Sequence, residues 1–251
     1  MERWLGKVAL VTGASSGIGA DIGRTLAING MKVIAVARRM EKLQELAADV
    51  QRKCNAKLHP IRCDVQKEED ILEVFKWAEK HLNGVDVLIN NAGVLSTASL
   101  SEESTENLQK ILNVNVLGTA ICSRELIQSV KKRKTSGHII NISSITGHIA
   151  DFLSTNMSIY PASKYAVKGM AMSLRGDLAR EKLDVKVTNI SPGVVKTDMI
   201  TNVPSVTMNP MLNDKDISNT VIYILSMPHH VQIWDVIITP FHKALPNHEE
   251  R

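Results

Sequence analysis

Residues 7–19 read KVALVTGASSGIG and are followed by a segment with helical periodicity. The apolar run is typical of a buried strand, and it closes on three glycines in GxxxGxG spacing. Glycines at a strand–helix junction let the backbone approach a phosphate closely, and the helix N-terminus offers free N–H groups. The junction predicts a dinucleotide pyrophosphate site, with a tight turn for close helix packing as the alternative. Its contact residues would be Gly13, Ser15, Ser16, Gly17, Ile18 and Gly19.

Short β-branched apolar runs alternate with helix-length segments along the chain. The predicted strands are Lys7–Thr12, Lys32–Ala37, Lys57–Cys63, Val85–Asn90, His138–Ser143, Val185–Ser191 and Trp234–Thr239. The predicted helices are Ile18–Asn29, Met40–Cys54, Lys67–Leu82, Glu102–Lys134, Tyr160–Leu183 and Asp214–Ser226. This alternation predicts an α/β fold. We expect a Rossmann-type doubly wound, mostly parallel seven-stranded sheet with helices on both faces, in a single domain spanning residues 1–251.

The least regular stretch is residues 194–213, which carries two prolines and three methionines. We interpret it as a candidate lid over a substrate site, and a passive loop is the alternative.

Composition excludes several classes of protein. The 251 residues carry 30 Lys and Arg against 26 Asp and Glu, and 44% of them are hydrophobic, which is ordinary for a globular chain. No apolar run reaches the roughly 18 residues of a membrane span, and the first residues lack a secretory signal. The three scattered cysteines predict neither disulfides nor a metal site, so we expect a cytoplasmic protein. The basic run at residues 131–134 fits a helix C-terminus, so we expect no nucleic-acid partner.

The second predicted strand ends in Arg38 and Arg39, at the place where an acidic residue would bind the ribose hydroxyls of NAD. Guanidinium groups there suit a 2′-phosphate through bidentate, charge-assisted hydrogen bonds. The sequence therefore favours NADP(H) over NAD(H). Two solvated arginines at a strand end are the alternative.

Tyr160 and Lys164 stand four residues apart at the start of a predicted helix, so their side chains share one face. A phenol with the usual pKa of about 10 is a poor base at neutral pH, and a nearby cation lowers that pKa. Ser144 follows the preceding predicted strand, and its hydroxyl could stabilise a developing alkoxide. The three residues predict acid–base chemistry on a carbonyl/alcohol pair.

Together these motifs resemble the short-chain dehydrogenase/reductase family, in its single-domain NADP-dependent branch. The resemblance spans about residues 7–239. Further motifs that carry it are Cys63-Asp64-Val65, Asn90-Asn91-Ala92-Gly93, Val114-Asn115-Val116-Leu117-Gly118, Ser143-Ser144, and Pro192-Gly193 followed by Thr197.

The resemblance implies roles for the matching positions. Tyr160 would be the general acid/base, and Lys164 would lower its pKa and hold the nicotinamide ribose. Ser144 would polarise the carbonyl, and Asn115 would hold a water in a proton relay. Asp64 and Val65 would flank the adenine. The other cofactor contacts would be Asn91, Ala92, Gly93, Val114, Pro192, Gly193, Val195 and Thr197.

The sequence departs from the family pattern in two places. The step from Ser144 to Tyr160 is 16 residues, about three more than usual, so an insertion lies within Ile145–Ile159. Ser143 is the alternative active serine, and Ser144 is preferred. The usual C-terminal glycine pair is replaced by residues 231–240. Both departures are similar to the branch that holds insect farnesol dehydrogenases and a vertebrate cytosolic carbonyl/steroid reductase.

Apolar residues dominate the segments expected around the substrate. The candidate substrate contacts are Leu95, Ser144, Ile145, Phe152, Val194 and Met199. The expected reaction is an NADP(H)-dependent interconversion of a lipophilic alcohol, an isoprenoid such as farnesol or a steroid, with its aldehyde or ketone. A catalytically silent NADP(H) sensor and a nucleotide-sugar epimerase are the alternatives. The resemblance also implies a homodimer or homotetramer.

Overall fold

The computed structural model describes residues 1–54, 56–151, 155–201 and 210–241. The strands are β1 (Val8–Thr12), β2 (Lys32–Ala37), β3 (Leu58–Arg62), β4 (Val87–Asn90), β5 (Gly137–Ile142), β6 (Val185–Pro192) and β7 (Asp235–Ile238). They form one seven-stranded sheet in the order β3-β2-β1-β4-β5-β6-β7, and every pair is parallel. The predicted Rossmann-type sheet is confirmed, and it is entirely parallel. The order reverses between β1 and β4, where such sheets open a crevice at their carboxyl edge.

Helices cover both faces of the sheet. They are α1 (Gly17–Ile28), α2 (Met40–Cys54), α3 (Glu68–Leu82), α4 (Thr105–Leu112), α5 (Thr119–Arg133), α6 (Tyr160–Arg180), α7 (Asp198–Thr201) and α8 (Asp214–Ser226). A π-helical turn, Asn113–Gly118, joins α4 to α5. Among the helices in the described part of the chain, none combines the length and the apolar character needed to cross a membrane.

Two apolar clusters hold these layers together, because strand residues point alternately to the two faces. Ala9 and Val11 of β1 pack with α1, α2 and α8 on one face. Val8 and Leu10 of the same strand pack with α3, α5 and α6 on the other. The continuous burial of β1 thus follows from its position in the middle of a doubly covered sheet.

The prediction of one long helix over Glu102–Lys134 is wrong in two respects, as the observed helix α4 shows. It begins only at Thr105, because the Ser104 hydroxyl caps it by accepting a hydrogen bond from the Asn107 N–H at 3.2 Å. It is also interrupted by the π-helical turn, whose buried Asn115 bonds outside its own helix. Helix α6 ends at Arg180, before the predicted Leu183, since Lys182 takes a left-handed φ of 54°.

The candidate lid, residues 194–213, is more regular than the sequence indicated. Helix α7 occupies part of it, and Val195 forms a parallel β-bridge with Leu212. Residues 202–209 lie outside the described residues. The lid therefore stays a prediction.

Candidate functional site

A cleft of about 450 Å³ opens at the carboxyl edge of the sheet. All of the predicted cofactor residues line it, and so do the predicted substrate residues Leu95, Ser144, Ile145, Val194 and Met199. Phe152 lies outside the described residues. Asn115 lies just behind the wall, buried to 1% exposure. The structure therefore brings together residues that are as much as 187 positions apart in the sequence, from Gly13 to Ile200.

The glycine loop packs directly on the segment that follows β4. Gly13 has a φ of 66°, and a Cβ there would lie 2.8 Å from the Cα of Ala92. A Cβ on Gly19 would collide with Asn91 Nδ2 and with the Gly13 carbonyl. Asn91 secures this approach by donating from Nδ2 to the Thr12 carbonyl at 2.9 Å. Glycine is therefore needed at both positions, and both line the cleft.

The start of α1 has the features of an anion site. Its N-cap, Ser16, makes no side-chain capping bond. The Arg39 guanidinium donates instead to the hydroxyls of Ser15 and Ser16, through Nη2 at 2.9 and 2.7 Å respectively. Arg38 also lines the cleft, and both arginines are exposed. Two cations, two hydroxyls and a helix N-terminus thus meet at the end of β2.

The wall beside β3 is formed by Asp64 and Val65. The Asp64 backbone N–H donates to Asp70 Oδ2 at 2.8 Å, and the Asp64 carboxylate accepts from the Gln66 N–H at 3.1 Å. These bonds fix the turn that leaves β3, beside the place where an adenine is expected.

Tyr160 stands in the first turn of α6 and is buried, with 8% exposure. Burial raises the pKa of its phenol to about 12, and a hydrogen bond with the Ser144 hydroxyl opposes that rise in pKa. Ser144 itself is fixed by accepting from the N–H and the hydroxyl of Thr146, at 3.1 and 3.0 Å. The Ser143 hydroxyl is buried without a hydrogen-bond partner among the described residues. The serine that meets the phenol is therefore Ser144.

Lys164 lies one helical turn beyond Tyr160 and is 5% exposed. Its Nζ is 5.5 Å from the centre of the Tyr160 ring and donates to the Ile142 carbonyl at 3.0 Å. Burial lowers the pKa of Lys164 to about 8. The predicted lowering of the Tyr160 pKa by Lys164 is not met in this structure, because burial dominates the phenol and the ammonium is turned toward Ile142.

Both polar atoms of the Asn115 side chain form hydrogen bonds to other residues of the protein. Its Oδ1 accepts from the Val94 N–H at 2.9 Å, and its Nδ2 donates to the Val94 carbonyl and to Ser163 Oγ at 2.9 and 3.0 Å. The amide thereby joins the loop after β4 to the first turn of α6. In this structure Asn115 shapes the site, and a relay water held by it stays a prediction.

The remaining wall follows β6. Pro192, Gly193, Val195 and Thr197 line the cleft there, and Val94 and Ile200 add apolar surface. Ser143, the alternative active serine, also lines the cleft, as do six residues that were not predicted: Ala37, Cys63, Ile142, Thr146, Met157 and Asp198. The first three of these six lie where β2, β3 and β5 end, so the rule that ligands bind at the carboxyl edge would have found them. In the described residues, no group of three or more His, Cys, Asp or Glu is placed to hold a metal.

The burial of Lys164 gives a prediction about stability. Its pKa falls from 10.5 to about 8 on folding, so below pH 8 folding carries the full cost of burying the charge. That cost is relieved as the pH rises from about 8 to 10.5. Without ligands, Lys164→Met is expected to unfold at a higher urea concentration than the wild type at pH 7. The difference between the two urea midpoints is expected to be smaller at pH 10. A difference in urea midpoint that does not change with pH would contradict this account.

Comparison with known proteins agrees with the fold and the motifs. A family model described as short chain dehydrogenase matches residues 7–206. The chain is 46% identical to a farnesol dehydrogenase of Aedes aegypti over 242 residues, covering 96% of this chain and 98% of that protein. It is 42% identical to dehydrogenase/reductase SDR family member 11 of Homo sapiens, covering 96% of each chain.

Solved structures give the same result. A short-chain type dehydrogenase/reductase from Mycobacterium marinum superposes with a TM-score of 0.86 at 26% identity, covering 94% of this chain and 95% of that one. An alcohol dehydrogenase from Thermococcus sibiricus, solved with 5-hydroxy-NADP, has a TM-score of 0.82 at 26% identity, covering 92% and 95%. With the parallel sheet, the glycine loop and the Tyr160–Lys164 helix, these matches show that the chain belongs to the short-chain dehydrogenase/reductase family of oxidoreductases.

Proposed function

We propose that the chain is an NADP(H)-dependent oxidoreductase that interconverts a lipophilic alcohol and its aldehyde or ketone. One observation carries the proposal: a single cleft joins the arginines and hydroxyls beyond β2 to the buried Tyr160 phenol beyond β5. An anion anchor at one end and a proton donor at the other match the two ends of a nicotinamide dinucleotide reaction.

The residues present fit such a cofactor. The glycine loop, which lines the cleft, and the start of α1, which has no side-chain cap, would take the pyrophosphate. Arg38 and Arg39, with the hydroxyls of Ser15 and Ser16, would take a 2′-phosphate. Lys164 would reach the nicotinamide ribose. When bound, the nicotinamide supplies the hydride donor or acceptor that the side chains of this protein lack.

The side chains of the protein handle the proton. Because burial holds the pKa of Tyr160 at about 12, the phenol is protonated at neutral pH and donates to a carbonyl oxygen. The Ser144 hydroxyl, fixed by Thr146, donates to the same oxygen and stabilises its developing charge. Alcohol oxidation needs the phenolate form of Tyr160, which accepts the alcohol proton. The Lys164 ammonium, 5.5 Å from the ring centre, would favour this form by turning from the Ile142 carbonyl toward the phenol oxygen.

The substrate is inferred from the apolar wall near Tyr160. This wall consists of Val94, Leu95, Ile145, Met157, Val194, Met199 and Ile200. Such a lining favours an isoprenoid alcohol or a steroid over a sugar or an acid. The similarity to the farnesol dehydrogenase of Aedes aegypti supports an isoprenoid alcohol.

The test is an absorbance assay at 340 nm with NADP⁺ and, separately, NAD⁺. The alcohols are farnesol, geraniol, retinol, a hydroxysteroid and ethanol. We expect turnover with NADP⁺ and a long apolar alcohol, and little with ethanol. NADPH binding seen by fluorescence without turnover in either direction would instead favour a catalytically silent sensor.

The cofactor preference depends on Arg39. Arg39→Ala removes one guanidinium from a 2′-phosphate, and a charge-assisted hydrogen bond contributes about 1.5–3 kcal/mol. We expect the KM for NADP⁺ to rise about 10- to 100-fold, with little change in the KM for NAD⁺. The control is Arg52→Ala, whose exposed side chain pairs with Asp49 on α2 away from the cleft. Equal effects of Arg39→Ala on both cofactors would contradict 2′-phosphate binding.

A further inference from the structure

A ladder of buried amides crosses the middle of the sheet. Asn90, Asn141 and Asn189 occupy matched positions on β4, β5 and β6, and none is more than 4% exposed. Asn90 Nδ2 donates to Asn141 Oδ1 at 2.9 Å, and Asn141 Nδ2 donates to Asn189 Oδ1 at 3.0 Å. The ladder links the side chains of three strands just before their carboxyl ends.

The ladder continues into α5 through two hydroxyls. Asn90 Nδ2 also donates to Ser123 Oγ at 3.1 Å. Ser123 donates to the Thr119 carbonyl at 2.7 Å, and Thr119 Oγ1 donates to the Asn115 carbonyl at 2.9 Å. Both hydroxyls are buried, at 1% and 7% exposure. The chain of bonds thus arrives at the π-helical turn Asn113–Gly118.

The chain of bonds ends at the proton-handling residues. Asn115 Nδ2 donates to Ser163 Oγ, and Ser163 Oγ donates to the Tyr160 carbonyl at 2.6 Å. On the sheet side, Asn141 directly precedes Ile142, whose carbonyl accepts from Lys164 Nζ. One continuous polar path therefore joins the sheet interior to the backbone that carries Tyr160.

We propose that Thr119 and Ser123 are positioning residues, which hold the π-helical turn and, through Asn115, the orientation of Tyr160. Burying polar groups costs free energy, and apolar side chains of similar volume would fill these positions at lower cost. Asn90 Oδ1, at the sheet end of the path, has no hydrogen-bond partner among the described residues, but the hydroxyls of Thr119 and Ser123 are both bonded. Bonded buried hydroxyls fix one local geometry. Hydroxyls that bond to the carbonyl four residues earlier bend helices, and π-helical turns are frequent at functional sites.

The test compares Thr119→Val with Thr220→Val. Thr220 makes the same type of bond, to the Asp216 carbonyl at 2.8 Å, but in α8, away from Tyr160. In Thr119→Val, amide hydrogen exchange is expected to become about tenfold faster or more in residues 113–118 and 160–164. Thr220→Val should leave exchange in both segments unchanged, and Thr119→Ser, which keeps the hydroxyl, should restore it.

Activity gives the second readout, and this readout rests on the proposed function. With NADP⁺ and farnesol, kcat of Thr119→Val is expected to fall about 10- to 100-fold, because small displacements of a catalytic group are that costly. The KM for NADP⁺ should stay within about twofold. If the wild type oxidises no alcohol, the proposed function fails, while hydrogen exchange still decides the positioning role.

A second pair of variants guards against a misfolded Thr119→Val. Ser123→Ala breaks the preceding bond, and its control is Ser226→Ala, whose hydroxyl bonds the Ile222 carbonyl at 2.7 Å. The local exchange pattern should again be confined to the α5 variant. The proposal would be overturned if the α5 variants had the same hydrogen exchange and kcat as their α8 controls. It would also be overturned if exchange in the α5 variants accelerated uniformly along the chain.

Discussion

Tyr160→Phe is expected to lower kcat by about 10²- to 10⁴-fold, the usual contribution of a general acid or base. The phenol lines the cleft, is buried and bonds the Ser144 hydroxyl, and in the proposed mechanism it is the proton donor. Phenylalanine keeps the ring and its packing, so NADPH binding measured by fluorescence should be unchanged, and so should the unfolding midpoint. The loss should appear equally in kcat and in kcat/KM, because the proton is transferred only in the transition state.

The matched control is Tyr165→Phe on the same helix. Tyr165 donates its hydroxyl hydrogen to the His148 carbonyl and is 45% exposed, outside the cleft lining. We expect its kcat to stay within about twofold of the wild type. If Tyr160→Phe retained wild-type turnover, another group would have to transfer the proton, and the proposed mechanism would be wrong.

The strands were predictable because their physical cause is local to the sequence. A strand covered on both faces needs an unbroken apolar run, and β1, β2, β5 and β6 each begin and end within one residue of the expected bounds. The interruption after α4 was not predictable in this way. The apolar period of a helix hardly changes over one π-helical turn, and the cause of the turn lies in contacts of Asn115 with Val94 and Ser163, distant in the sequence.

The candidate site shows the same difference between features with a local cause and features that depend on contacts distant in the sequence. The glycine loop and the Arg38–Arg39 pair could be predicted from the sequence, because each depends on neighbouring residues in a single turn. The side-chain environment of Tyr160 could not be predicted in this way, because the spacing to Lys164 indicates a shared helix face but not the depth of burial. Burial in fact raises the pKa of the phenol, and the Lys164 ammonium bonds to Ile142 of another strand.

Arg133→Met is expected to lower the free energy of unfolding by about 3–5 kcal/mol, the typical cost of leaving a buried charge without its partner. Arg133 Nη1 lies 2.8 Å from Asp86 Oδ1, and the two side chains are 12% and 7% exposed. Asp86 Oδ2 also accepts from the Val8 N–H at 2.9 Å. Without Arg133 the carboxylate would keep this one bond at the amino edge of the sheet, opposite the cleft.

The control for this change is Lys131→Met at the same helix end. Lys131 pairs with Glu181 at 2.7 Å, but the two side chains are 62% and 50% exposed, so the loss should be at most about 1 kcal/mol. Adding Asp86→Leu to Arg133→Met should recover part of the stability, because the unpaired charge is then gone. Urea unfolding measures all three variants, and equal losses for Arg133→Met and Lys131→Met would show that burial adds nothing to the pair. Since the pair lies far from Tyr160, the folded fraction of Arg133→Met should keep its kcat, the reverse of the pattern expected for Tyr160→Phe.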